Sequence, residues 1–132
     1  MPASAPAAVS IHREALMAYD ERLAERVRAI LGEEAKVEER KMFGGLAFLV
    51  EGHMACGVEK SRLMLRIGPE AYEAALAEPH VLPMDFTGRP LRGFVYVEPE
   101  GVRTKPQLAR WVRRAVAFAR TQPAKKVKGA RR

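Results

Sequence analysis

Residues 46–67, LAFLVEGHMACGVEKSRLMLRI, decide the architecture. Leu46–Val50 is a short apolar run bounded by turn signals, the mark of a buried strand. Glu51-Gly52 is a two-residue hairpin connection with glycine where a positive φ is needed. His53–Glu59 returns antiparallel, and its Gly57 marks a bulge or a close approach by another element. Lys60-Ser61 turns the chain again. Arg62–Ile67 then alternates, with Leu63, Leu65 and Ile67 on one face and Arg62, Met64 and Arg66 on the other. That alternation fits a sheet with one packed face and one partly wet face. Strands joined by connections this short pair antiparallel.

Upstream, Lys36–Met42 alternates weakly and reads as a further strand, closed by Gly44-Gly45. Before it, a helix beginning between Ser10 and Asp20 places Leu16, Tyr19, Leu23, Val27, Ile30 and Leu31 on one wall. Gly32 suits the C′ position that ends such a helix. Residues 1–15, opening MPASAPAAV, read as a disordered leader.

Downstream, Pro69 opens a second helix with Glu70 and Glu73 near its positive end. Ala71, Tyr72, Ala75 and Leu76 form its buried side, and Pro79 stops it. Residues 79–90 hold three prolines and one glycine and read as a loop over the surface. Within it, Asp85 facing Arg66 or Arg89 is expected to anchor the loop through an ion pair. Leu91–Val97 is the last clear strand. Thr104 caps a third helix that Pro106 tolerates and Pro123 ends. The predicted fold is α+β in two layers: an antiparallel sheet of five or six strands with helices on one face. The order is helix, three or four strands, helix, one or two strands, helix. Residues 16–122 form the single domain, and residues 123–132 a basic disordered tail.

The chain has 132 residues, 48% of them apolar, which suits one globular domain. It has no apolar run long enough to span a bilayer and no secretory signal pattern, so the cytoplasm is the expected compartment. The single cysteine, Cys56, excludes an internal disulfide framework and a Cys-based zinc site. His53 and Cys56 are three apart on one predicted strand, which places them on opposite faces and leaves Cys56 a small buried hydrophobe. His12 lies in the leader and His80 in a loop. No catalytic, metal-binding or cofactor-binding set is expected.

Charge is unevenly placed. Residues 1–102 carry 12 bases against 16 acids, whereas residues 103–132 carry 11 bases and no acid. On the third helix Leu108, Trp111, Val112, Ala115, Phe118 and Ala119 gather on one side. Arg110, Arg113, Arg114 and Arg120 gather on the other, and Lys125, Lys126, Lys128, Arg131 and Arg132 extend the field. Arginine forks suit phosphate oxygens, so the segment is a candidate for contact with nucleic-acid backbone. Nothing in it supports reading of base sequence. The plainer readings are a solubility tail, or a face docked on the acidic remainder of the same chain or of a second copy.

Lys41, Met42, Phe43, Gly44 and Gly45 do not form a phosphate loop, because the lysine precedes the glycines. They read as a sharply bent strand end with Met42 or Phe43 turned inward. The other reading is a knuckle where glycines admit a partner's backbone or a small ligand at the sheet face.

Arg40-Lys41-Met42-Phe43-Gly44-Gly45, Glu51-Gly52, Leu65-Arg66-Ile67-Gly68-Pro69-Glu70, Met84-Asp85-Phe86 and Gly93-Phe94-Val95-Tyr96-Val97 together resemble the N-terminal domain of the TfoX, or Sxy, competence regulators. The likeness runs from about Tyr19 to Phe118. It implies a small α+β domain with helices on one side of an antiparallel sheet. It also implies a regulator that assists transcription of competence genes with the cyclic-AMP receptor protein, and no established catalytic residues. The name-giving members carry a second, C-terminal domain. With only the basic tail after Pro123, the resemblance implies a stand-alone copy. The leading expectation is a non-enzymatic adaptor that binds a protein partner in the transcription setting and touches nucleic acid through its C-terminus. A small-molecule-binding or enzymatic domain near Gly44-Gly45 is the alternative. A homodimer is expected, because a sheet edge invites a second copy.

Overall fold

The computed structural model describes residues 19–42, 44–85 and 88–123. The predicted leader and all of the predicted tail beyond Pro123 lie outside the described residues. Helix α1 spans Glu21–Glu34, followed by β1 (Val37–Met42), β2 (Gly45–Val50), β3 (His53–Glu59) and β4 (Arg62–Arg66). Helix α2 (Pro69–Leu76), β5 (Val81–Asp85), β6 (Pro90–Val97), a 3₁₀ turn (Pro99–Val102) and helix α3 (Lys105–Thr121) complete the order. The six strands form one antiparallel sheet in the order β1-β2-β3-β4-β6-β5. This is the two-layer α+β arrangement read from the sequence.

Local chemistry sets the helix ends. The Asp20 carboxylate accepts hydrogen bonds from the Arg22 and Leu23 amides at 2.8 and 3.2 Å, which fixes the start of α1. Such a cap contributes about 1 kcal/mol. Tyr19 therefore precedes the helix and instead forms a bridge to Lys60. Leu16 lies outside the described residues. Gly32 does not end α1 as expected: its φ is not positive, and the helix continues to Glu34 with Ala35 as its cap. At α3 the Thr104 hydroxyl accepts from the Gln107 amide while the Gln107 side chain accepts from the Thr104 amide, a full capping box.

Residues 79–90 depart from expectation more widely. Val81–Asp85 is not a free loop but an edge strand paired with β6. Pro83 is compatible with it because β5 lies at the sheet's edge, where a missing N–H on the outer side costs little. Asp85 stands opposite Pro90 and makes no anchoring pair with Arg66, which stacks near the Phe94 and Phe118 rings at 5.6 and 5.4 Å.

The main core lies between the helices and one sheet face. Helix α3 crosses β2, β3 and β4, α1 packs on α3 and β3, and α2 lies on β5 and β6. Trp111 and Phe48 are its largest fully enclosed side chains. The other face is drier than the alternation predicts. Ala47, Leu49, Met54, Met64, Met84 and Tyr96 form a second buried cluster there, with Met42, Leu91 and Phe94 packed against it. Met64, expected on a partly wet face, is fully buried. Gly57 is what lets it in: a Cβ at Gly57 would lie 2.7 Å from the Met64 methyl and 2.6 Å from the Leu46 carbonyl oxygen.

A bulge also overturns the parity argument for His53 and Cys56. Phe48 pairs with Cys56 while Leu49 pairs with Met54, so Ala55 is an extra residue on β3. Cys56 and His53 thus both stand opposite main-core residues, Phe48 and Val50. Cys56 is fully buried, and desolvation pushes its thiol pKa up to about 12. It behaves as a small hydrophobe.

Trp111 is 2% exposed, at the middle of α3. Trp111→Ala should lower unfolding free energy by about 3–5 kcal/mol, read as a shifted urea midpoint by circular dichroism. A loss below about 1 kcal/mol would show that the helix does not depend on this anchor.

Candidate functional site

Helix α3 carries the candidate basic face. Its apolar stripe, with Leu108, Trp111, Val112, Ala115 and Ala119 all buried, faces the sheet. At about 100° per residue the four arginines separate into two rows on the helix's shoulders. Arg110 and Arg114 lie one turn apart on one shoulder. Arg113 and Arg120 lie two turns apart on the other, with exposed Ala117 between the rows.

Each row is held by one glutamate from outside α3. Arg110 Nη2 and Arg114 Nη1 donate to the two carboxylate oxygens of Glu78 at 3.1 and 3.0 Å. Both guanidiniums also stack on the Trp111 ring, at 4.8 and 4.4 Å. Across the helix, Arg113 Nε donates to Glu34 Oε2 at 3.0 Å, and Arg120 donates to the Glu34 backbone carbonyl. Burial opposes ionisation of Glu78, but the hydrogen bonds from Arg114 and Arg110 prevail and hold its carboxyl below the usual range. Glu34 ends α1 and Glu78 lies just past α2. A carboxylate at a helix C-terminus is opposed by the helix dipole, and the arginines offset that cost.

These pairs lie at the surface, with the carboxylates and Arg114 partly covered. The side chains of Arg110 and Arg113 are 54% and 57% exposed, so each pair contributes only about 0.2–1 kcal/mol. Lys125, Lys126, Lys128, Arg131 and Arg132 lie outside the described residues.

The glycine knuckle is a steric feature. Lys41 is exposed, Met42 is half-buried against the second cluster, and Phe43 lies outside the described residues. Gly44 has φ +76°, which favours glycine, and open space around it. Gly45 is buried, and a Cβ there would collide with the Val58 carbonyl oxygen of β3. The close approach that Gly45 permits is thus already taken up by β3.

His53 meets the Pro123 carbonyl oxygen through Nε2, which ties the end of α3's exit to the start of β3. His80 has φ +68° and its backbone carbonyl accepts from the Glu98 amide at 2.8 Å. His12 lies outside the described residues. Among the described residues no group of three or more His, Cys, Asp or Glu side chains is gathered as for a metal ion. Nor is any described helix long and apolar enough to cross a membrane. A hollow of about 210 Å³ beside the start of α1, lined in part by Arg22, Arg26 and Ser61, is smaller than a usual ligand pocket.

Sequence reading missed Glu34 and Glu78 as partners of the arginines. Each lies near a helix end, and no periodicity links residues 34, 78 and 110–120. The signal available was indirect: an acid-free basic helix in a chain whose 16 acids all precede residue 103. It also missed Arg62, whose guanidinium lies 3.7 Å from the Tyr96 ring centre and is paired with Glu59.

Comparison with protein families matches the chain to the TfoX N-terminal domain over residues 29–119. That span runs from the second half of α1 to the last turns of α3 and includes every strand and both glutamates of the arginine face. No curated protein matches the chain. A match over well over half of the 132 residues, with the α+β order that the resemblance implied, places the chain in the TfoX N-terminal domain family, a family of competence-related regulators.

Proposed function

We propose that this domain is a non-enzymatic regulatory module of the cytoplasm, docking on a protein partner in the transcription setting and touching nucleic-acid backbone through α3 and the residues that follow it. The observation that carries the nucleic-acid part is the pair of arginine rows: four forked cations on one helix, half-open to solvent, against two carboxylates. Guanidinium forks match phosphate oxygens in bidentate fashion. Family membership supports the protein-partner part, and the exposed Lys41 and Gly44 knuckle with Met42 beside it is the proposed contact for that partner.

A second copy is also proposed to pair at the β5 edge. There Leu82 is a large apolar side chain that stays 39% exposed, whereas β1 turns Glu38, Glu39, Arg40 and Lys41 to solvent. Light scattering should show dimer at micromolar concentration, and a monomer up to millimolar concentration would remove that proposal.

Two experiments test the main reading. Fluorescence anisotropy with a labelled DNA duplex should show binding at about 50 mM salt that falls steeply by about 200 mM, since each neutralised phosphate releases counterions. Deleting residues 124–132, or replacing Arg110, Arg113 and Arg114 with Gln, should weaken binding and flatten the salt slope. No binding at about 50 mM salt would exclude the nucleic-acid part. Affinity capture from lysate after nuclease treatment should still recover a defined protein. Loss of every captured protein on nuclease treatment would exclude the adaptor part.

A further inference from the structure

Resting on that reading, we infer that Glu34 and Glu78 are built-in competitors for the arginine face: they occupy the guanidinium forks that a phosphate backbone would take, and so set how tightly a polyanion binds. The geometry that motivates this is specific. Two carboxylates and one carbonyl engage all four arginines of the helix. Glu78 bridges two forks at once, one from each carboxylate oxygen, as a phosphate group would. Glu34 is the last residue of α1 and Glu78 follows the end of α2, so neither is a routine pair along one helix surface.

The placement of the glutamates points the same way. Both stand at helix C-termini, where the dipole disfavours them. Among the described residues, positions 103–123 carry six bases and no acid, so the counter-charge comes from outside the helix. Arg110 and Arg113 are 54% and 57% exposed, while Arg114 and the two glutamates are 26–30% exposed, so the pairs are partly open to water and exchange more readily than buried pairs. Arg110 and Arg114 also lie over the Trp111 ring, at 4.8 and 4.4 Å, a second contact besides their pairing with Glu78. The face is thus organised before any polyanion arrives, and its affinity is limited by what must be displaced.

The test uses the full chain and a labelled DNA duplex at about 50 mM salt. Glu34→Gln should tighten binding by about two- to five-fold, the range expected from releasing one exposed pair, and Glu78→Gln, which releases two, by at least as much. The double variant should gain roughly the product. Glu70→Gln, at the exposed start of α2 and away from the arginines, removes the same charge and controls for net charge alone. Circular dichroism melts confirm that each variant is folded. Adding Arg110→Gln and Arg114→Gln to Glu78→Gln should erase the gain. Equal gains in Glu70→Gln and Glu78→Gln would overturn the inference, since only overall charge would then matter. So would unchanged affinity in Glu34→Gln and Glu78→Gln while the parent binds with a normal salt slope; the nucleic-acid reading would survive that result. Absence of binding by the parent and by every variant would overturn both.

Discussion

The seat of α3 on the sheet is the constraint on which the rest depends. A six-stranded sheet is wide, and α2 has only eight residues. Covering the central strands falls to one 17-residue helix, with Trp111 buried at its middle and Ala115 and Ala119 allowing close approach further along. A helix lying in that position is flanked on both sides by the ends of its neighbours. Its shoulders are therefore not free surface. Whatever charges they carry meet the C-terminal ends of α1 and α2, and the pairing of arginines with Glu34 and Glu78 follows from the packing.

The far end of α3 is fixed by a glycine junction. Gly68, at φ +92°, has no room for a Cβ because the Phe118 ring fills the space. Gly93, at φ +94°, packs against the Gly68-Pro69 backbone, and its carbonyl accepts from the Ile67 and Gly68 amides at 2.8 and 3.2 Å. The end of β4, the start of α2, a kink in β6 and an aromatic ring of α3 thus meet at one point. Both glycines were visible in the sequence inside the family-like segments, but the need for them is tertiary: the ring that excludes a side chain at residue 68 comes from 50 positions later.

How far the sequence could be read tracks how local each cause is. The hairpins of β2, β3 and β4 were legible because alternation and two-residue turns act within about ten residues. Thr104 as a cap was legible for the same reason. Gly32 misled, because a glycine with ordinary helical φ is tolerated inside a helix at a cost of only about 1 kcal/mol. β5 was hidden by Pro83, which argues against a central strand but not against an edge. The shared side of His53 and Cys56 was hidden by a single inserted residue, Ala55, since strand parity holds only while the ladder is unbroken. The arginine face was seen on its own helix, and its partners were not, because ion pairs across three helices leave no pattern along the chain.

Electrostatics in this fold divides by depth rather than by segment. On β1, Glu38 pairs with Arg40 and Glu39 with Arg28, and the carboxyl of Glu39 is held low by its hydrogen bond from Arg28. Those pairs charge the exposed edge and discourage strand addition there. On the second sheet face, burial raises the Tyr96 hydroxyl's pKa, with Glu59 and Asp85 adding to it and Arg62 opposing. That face spends its arginine on an aromatic ring and a single glutamate. On α3, Arg110, Arg113, Arg114 and Arg120 share two carboxylates and one backbone carbonyl, and the Arg110 and Arg113 side chains stand more than half open to water on a capped helix.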